Sequence, residues 1–113
     1  LVQADCARLP FKSGAFAAVT CSHAFYELKG ATQVSTLEEI KRCLAPTKPF
    51  LMMEHEMPEN RFVRLLFYIR MMSMGREKAN QVLKHERTFL KRHFDRVRRS
   101  VTITGKSKLY ICN

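Results

Sequence analysis

Three short runs carry side chains that could do chemistry. His23 follows Cys21-Ser22 at the end of an apolar run. Histidine titrates near neutral pH, so His23 is the candidate general base. A hydrogen-bonded, pocket-lining histidine is the plainer and favoured role, because group transfer often needs only proximity and alignment. Asp5 opens an Asp-x-x-x-Leu-Pro pattern with Leu9 and Pro10. A carboxylate there either caps a turn or accepts a hydrogen bond from an exocyclic amine such as that of adenine. Glu54-His55-Glu56 suggests a metal, but an extended segment puts Glu54 and Glu56 on one face and His55 on the other. With no second cluster of ligating residues, no metal is expected; Glu54 or His55 facing a substrate pocket is the better reading.

These residues must sit on a scaffold. Leu1 to Ala4 reads as the end of a strand, followed by a loop containing Leu9-Pro10-Phe11 and Lys12-Ser13-Gly14. Ala15 to Ser22 is short and apolar, which predicts a strand buried on both faces. Gly30 breaks the chain, and Ser35 or Thr36 caps a helix with Glu38 or Glu39 completing a capping box. That helix buries Leu37, Ile40 and Leu44 and ends at Pro46 and Pro49. Phe50 to Glu54 is a second buried strand.

Pro58 opens a helix carrying Phe62, Leu65, Leu66, Ile69 and Met72, stopped near Gly75. Its apolar face is expected to pack on the sheet, with a lid over an apolar substrate as the alternative. A further helix runs from about Glu77 to Phe94 and buries Val82, Leu83, Phe89, Leu90 and Phe94. Val97 to Thr104 alternates, with Val97, Val101 and Ile103 facing one way, and forms a hairpin with Leu109-Tyr110-Ile111 through Gly105-Lys106. Strands alternating with helices imply an α/β fold: a parallel sheet made mixed by its closing antiparallel hairpin.

At 113 residues the chain is one domain or a piece of one. The net charge of +10 lies wholly in the second half: residues 1–58 hold six basic and six acidic side chains, and residues 59–113 hold fourteen and four. Such a half could attract nucleic acid or an anionic surface, although balance by an acidic segment elsewhere is the plainer reading. Arg87, Lys91, Arg92, Arg96, Arg98 and Arg99 read as a solvated face, and no signature of a dedicated nucleic-acid module is present. Arg64 and Arg70 interrupt the most apolar stretch, which excludes a transmembrane helix there. The four cysteines, Cys6, Cys21, Cys43 and Cys112, lack metal-finger spacing and read as reduced thiols of an intracellular, cytoplasmic protein.

Four phrases, in order and at this spacing, resemble the second half of class I S-adenosylmethionine-dependent methyltransferases, in the branch that methylates small molecules. They are Ala4-Asp5-Cys6-Ala7-Arg8-Leu9-Pro10-Phe11, Phe16-Ala17-Ala18-Val19, Leu37-Glu38-Glu39-Ile40-Lys41-Arg42-Cys43-Leu44-Ala45-Pro46, and Phe50-Leu51-Met52-Met53-Glu54. The resemblance implies a Rossmann-like fold running from the end of the third strand to the seventh over residues 1–113. It also implies S-adenosylmethionine as cofactor and a small-molecule methyl acceptor. It places Asp5 at the adenine amine, the Cys6 backbone N–H at the ring, and Cys21, Ser22 and His23 beside the methionine part and the acceptor.

Ala17 departs from the family's usual Asp, and Thr47-Lys48-Pro49 from its Gly-Gly, departures that leave a degenerate, non-catalytic methyltransferase remnant as an alternative. No Gly-x-Gly-x-Gly occurs among the four glycines, Gly14, Gly30, Gly75 and Gly105. The glycine-rich loop lets backbone approach the cofactor closely. The family's sheet order is 3-2-1-4-5-7-6, so without strands one and two the fourth strand becomes an exposed edge that invites association. The 113 residues alone are therefore expected not to be a competent methyltransferase.

Overall fold

The computed structural model describes residues 1–56, 60–73, 75, 86–103 and 105–113. Its strands are β1 (Val19–Ser22), β2 (Phe50–His55), β3 (Val97–Val101) and β4 (Ser107–Cys112). Its helices are α1 (Gly30–Cys43), α2 (Arg61–Ser73) and α3 (Glu86–His93), with a 3-10 turn at Phe25–Glu27. The sheet order is β1-β2-β4-β3; β1 and β2 are parallel, and β4 is antiparallel to both β2 and β3. This is the mixed sheet the alternation implied, with β1 at one edge.

One face of the sheet holds the core. Cross-strand partners share a face, so Phe50 opposite Cys112 and Met52 opposite Tyr110 build one apolar layer. Leu37 and Ile40 from α1, Leu90 from α3, and Phe94 just beyond it close over that layer. The Phe50 and Phe94 rings stack with centroids 5.8 Å apart. The next pair along the same two strands is Glu54 opposite Lys108, both buried. Charge thus enters the core where β2 ends. On the other face Leu51, Met53, Leu109 and Ile111 are only half-buried.

Several expectations are corrected. Leu1 to Ala4 is fully exposed and is not a strand. Of Ala15 to Ser22 only the last four residues form β1, which alternates half-buried and exposed positions rather than being buried on both faces. An edge strand with one neighbour cannot be covered like a central one. Gly30 begins α1 rather than breaking the chain, so Ser35 and Thr36 lie inside the helix. Lys29 occupies the N-cap position without a side-chain cap, and the capping box is absent. Thr36 is buried and donates to the Cys6 sulfur at 3.4 Å.

The Asn60 side chain caps α2 by accepting the Phe62 N–H at 2.9 Å; Pro58 lies outside the described residues. Phe62, Leu65, Leu66 and Ile69 are exposed, so the expected packing of this face on the sheet does not occur. Among the described side chains of α2, the half-buried apolar ones are Phe67 and Met72, grouped with Tyr26. The expected helix from Glu77 to Phe94 is described only as α3; Val82 and Leu83 lie outside the described residues. The hairpin forms as expected, its turn made by Gly105 at φ +67° donating to Thr102 O at 2.8 Å. Of its predicted inward residues only Val97 is buried, while Val101 and Ile103 are exposed.

Candidate functional site

Because β1 and β2 are parallel, their carboxyl ends meet at one rim of the sheet, where open α/β sheets bind ligands. His23 leaves β1 there and His55 ends β2. Their rings lie with centroids 4.4 Å apart and planes tilted by 36°. His23 holds a left-handed backbone at φ 49°, an uncommon conformation for a non-glycine residue. Its N–H donates to Met53 O at 2.8 Å, which locks the bend against β2. Its Nε2 lies 3.5 Å from the Ser107 hydroxyl of β4, and its buried Nδ1 has no hydrogen-bond partner. Tyr26 and Phe67 approach His55 with centroids at 6.0 and 6.3 Å. Burial first, then the electrostatic influence of neighbouring His23, Arg70 and Lys108, lowers the His55 pKa. A neutral imidazole at this rim can accept a proton or a hydrogen bond.

Sequence reasoning grouped Cys21, Ser22 and His23, but the pleat separates two of them. Cys21 is half-buried and, opposite Met52, faces the core; Ser22 is exposed on the other side. Burial, then Glu54, pushes the Cys21 thiol up, so it is a poor nucleophile. Asp5 is exposed, and its Oδ1 accepts the Ala7 N–H at 2.9 Å, a turn cap that occupies one of its two carboxylate oxygens. Cys6 stands close enough to add to the rise of the Cys21 pKa.

The Asp5–Phe16 loop is held by a contact that no single motif announces. Arg42 donates from Nη1 to Phe11 O at 2.7 Å, from Nη2 to Leu9 O at 3.0 Å, and from Nε to Glu39 Oε1 at 2.8 Å. Glu39 Oε2 accepts from the same guanidinium at 2.8 Å and from the Leu9 N–H at 2.8 Å. These bonds, Arg42 first, bring the Glu39 pKa down to about 2. The Leu-Pro-Phe phrase and the Glu-Ile-Lys-Arg phrase are therefore two halves of one clamp. The signal was the shared presence of an arginine and a glutamate on one helix face at i, i+3 spacing.

Glu54 is 1% exposed. Its Oε1 accepts the Phe25 N–H at 3.1 Å, which fixes the 3-10 turn after His23, and its Oε2 has no hydrogen-bond partner. Glu86 of α3 lies nearby and pairs with Lys108 at 2.7 Å. Two carboxylates facing one ammonium favour retention of a proton, and Glu86 holds the closer cation. Desolvation, then Glu86, accordingly raises the Glu54 pKa to about 7. Glu56 pairs instead with Arg99, so the three residues of Glu54-His55-Glu56 have three separate partners. Among the described residues no group of three His, Cys, Asp or Glu side chains gathers as a metal would require. Arg87, Lys91, Arg92, Arg96 and Arg98 are exposed.

A family profile for the methyltransferase domain matches residues 1–52. No curated protein sequence matches the chain. Among solved structures, the PH0226 protein from Pyrococcus horikoshii aligns at 14% identity and TM-score 0.62, over 97% of this chain and 59% of its own. A SAM dependent methyltransferase from Aquifex aeolicus aligns at 13% identity and TM-score 0.57, over 99% of this chain and 53% of its own. The chain thus spans little more than half the length of either protein. Its fold, with sheet order β1-β2-β4-β3, is similar to the Rossmann-like fold of the methyltransferase structure it aligns with. The likeness to methyltransferases is thus one of sequence over residues 1–52 and of fold over nearly the whole chain, and S-adenosylmethionine is the cofactor that likeness implies. Among the described residues no helix is long and apolar enough to cross a membrane.

Proposed function

We propose that residues 1–113 are the rear part of a methyltransferase domain that methylates a small molecule, with the acceptor bound at the rim where β1 and β2 end. The observation that carries this is the His23–His55 pair, 4.4 Å apart between ring centroids. The backbone strain of His23 supports a functional rim, because strained backbone clusters at binding and catalytic positions. The sulfonium of the cofactor supplies an electrophilic methyl group. The chain's own residues align and desolvate the acceptor. His23 and His55 hold the acceptor's nucleophilic atom by hydrogen bonds, and the histidine pair takes its proton. Tyr26 and Phe67 exclude water from the same corner.

The residues fit one end of the cofactor. Asp5 would hold the adenine amine with the oxygen its turn bond leaves, the Cys6 N–H would meet the ring, and the backbone of Cys21 and Ser22 would lie beside the methionine part. The 113 residues contain no Gly-x-Gly-x-Gly, so activity requires a glycine-rich loop outside them, and the chain alone is inactive. The four free thiols support a reducing, cytoplasmic location.

The test uses a protein that joins this chain to a glycine-rich half. Calorimetry with S-adenosylhomocysteine should give binding that Asp5→Ala weakens by about tenfold, the loss of one charge-assisted hydrogen bond. Equal affinity in the variant removes Asp5 from the site. His23→Gln should leave that affinity unchanged and abolish transfer of labelled methyl to phenolic or quinol acceptors. Unchanged transfer removes His23.

A further inference from the structure

Helix α2 turns an apolar face outward. Phe62, Leu65, Leu66 and Ile69 follow i, i+3, i+4, i+7 spacing and are each 52–68% exposed. At roughly 100° per residue, Arg61 and Arg70 border this face on its two sides, and Phe67, which meets His55, points away from it. The face therefore belongs to the outside of the helix, not to the candidate acceptor site. Within α2 there are three arginines and no acidic residue. Arg61, Arg64, Leu65 and Tyr68 line an open groove of about 370 Å³ along the same helix. Ile103 and Lys106, on the tip of the β3–β4 hairpin, are also exposed, and Lys106 O accepts the Glu56 N–H just past the end of β2.

An apolar strip rimmed by arginines is what an interfacial helix presents to a bilayer. Apolar side chains enter the acyl boundary while guanidinium groups meet phosphates. The alternative of burying this strip against protein leaves the arginine rims without acidic partners on α2 itself. We propose that α2 docks the protein on an anionic phospholipid surface, lying in the plane of the headgroups. The inference stands on α2 alone and is independent of the methyl-transfer reading.

The chain has no tryptophan, so Phe62→Trp supplies a single reporter at the centre of the strip. The probes are vesicles of mixed phosphatidylcholine and phosphatidylglycerol, with pure phosphatidylcholine as reference. The expected result is a blue-shifted emission, quenched by brominated acyl chains, on the mixed vesicles only. The charge-neutral pair Leu66→Gln and Ile69→Gln should weaken binding by about tenfold or more, since two apolar side chains leave the acyl boundary. Its circular dichroism and thermal unfolding should match the parent's, because both positions are exposed. Three outcomes overturn the proposal: no binding to mixed vesicles; binding that survives the Gln pair, which assigns it to diffuse basic charge; or vesicle-independent self-association that the Gln pair abolishes, which makes a second copy the occupant.

Discussion

Glu54 is the residue whose chemistry the burial of the fold alters most plainly. With its pKa raised from 4.5 to about 7, the native state holds a proton that the unfolded chain has already released across that interval. Stability from this group is therefore fully present below the ordinary carboxylate pKa and is lost as pH rises through about 7. His55 works in the opposite sense: its pKa lies below 6.5, so the unfolded chain binds the extra proton and stability falls as pH drops through that range. We expect Glu54→Gln to keep the bond to the Phe25 N–H and to stabilise the fold above pH 7 by about 2 kcal/mol, less than the full shift because Lys108 and solvent screen the charge. Urea unfolding across this range checks it. The variant should gain stability with pH, the slope left by His55, where the parent gains less or loses. An identical slope in both proteins would show that Glu54 is ionised in the fold. The sequence indicated a pocket-facing role for Glu54 or His55. It could not indicate the buried cluster, because Glu86 and Lys108 approach only through tertiary packing.

At the scale of elements, the turn between α1 and β2 shows how a departure from the family pattern is accommodated. Lys48 N–H donates to Ala45 O at 3.1 Å, closing a turn with Pro46 and Thr47 at its centre. Pro46 suits the first central position, but Thr47 is held at φ 66°, where a β-branched side chain is strained and glycine is not. Thr47→Gly should stabilise the protein by roughly 0.5–1 kcal/mol, the relief of left-handed strain less the entropy of glycine in the unfolded chain, measured by thermal or urea unfolding. A loss of stability would mean that the Thr47 hydroxyl, bonded to Pro46 O at 2.6 Å, matters more than the strain. The Arg42 clamp gives a second expectation. Arg42→Lys keeps the charge and loses the fork, so amide exchange at Leu9, Gly14 and Phe16 should accelerate while that of β2 and β4 stays slow. The strands β2 and β4 were legible because their apolar residues alternate or run together within six positions. The start of α1 was not legible: Gly30 reads as a breaker, yet at a helix's first position it needs no intrahelical donor bond. The outward face of α2 has the same periodicity as a buried one, so periodicity alone cannot say which side meets solvent.

For the 113 residues, the strand order β1-β2-β4-β3 leaves β1 at one end of the sheet. Among the described residues strand β1 pairs only with β2, and its Val19 and Cys21 are half-buried while Thr20 and Ser22 are exposed. The face away from α1 and α3 presents Leu51, Met53, Leu109 and Ile111, each half-buried. An edge with free backbone groups beside half-covered apolar residues is a template for pairing with another chain. The association expected from sequence would therefore fall on this edge, separate from the outer face of α2. The 113-residue chain should self-associate with rising concentration in lipid-free solution. Thr20→Lys puts a charge on the exposed side of the edge without touching the core, and should shift the protein toward monomer with its thermal unfolding unchanged. Light scattering across a concentration series reads the effect. Association that persists in Thr20→Lys but disappears when Met53 and Leu109 become polar would move the contact from the β1 edge to the uncovered face. A chain that stays monomeric throughout would mean that a four-residue edge strand is too short to recruit a partner.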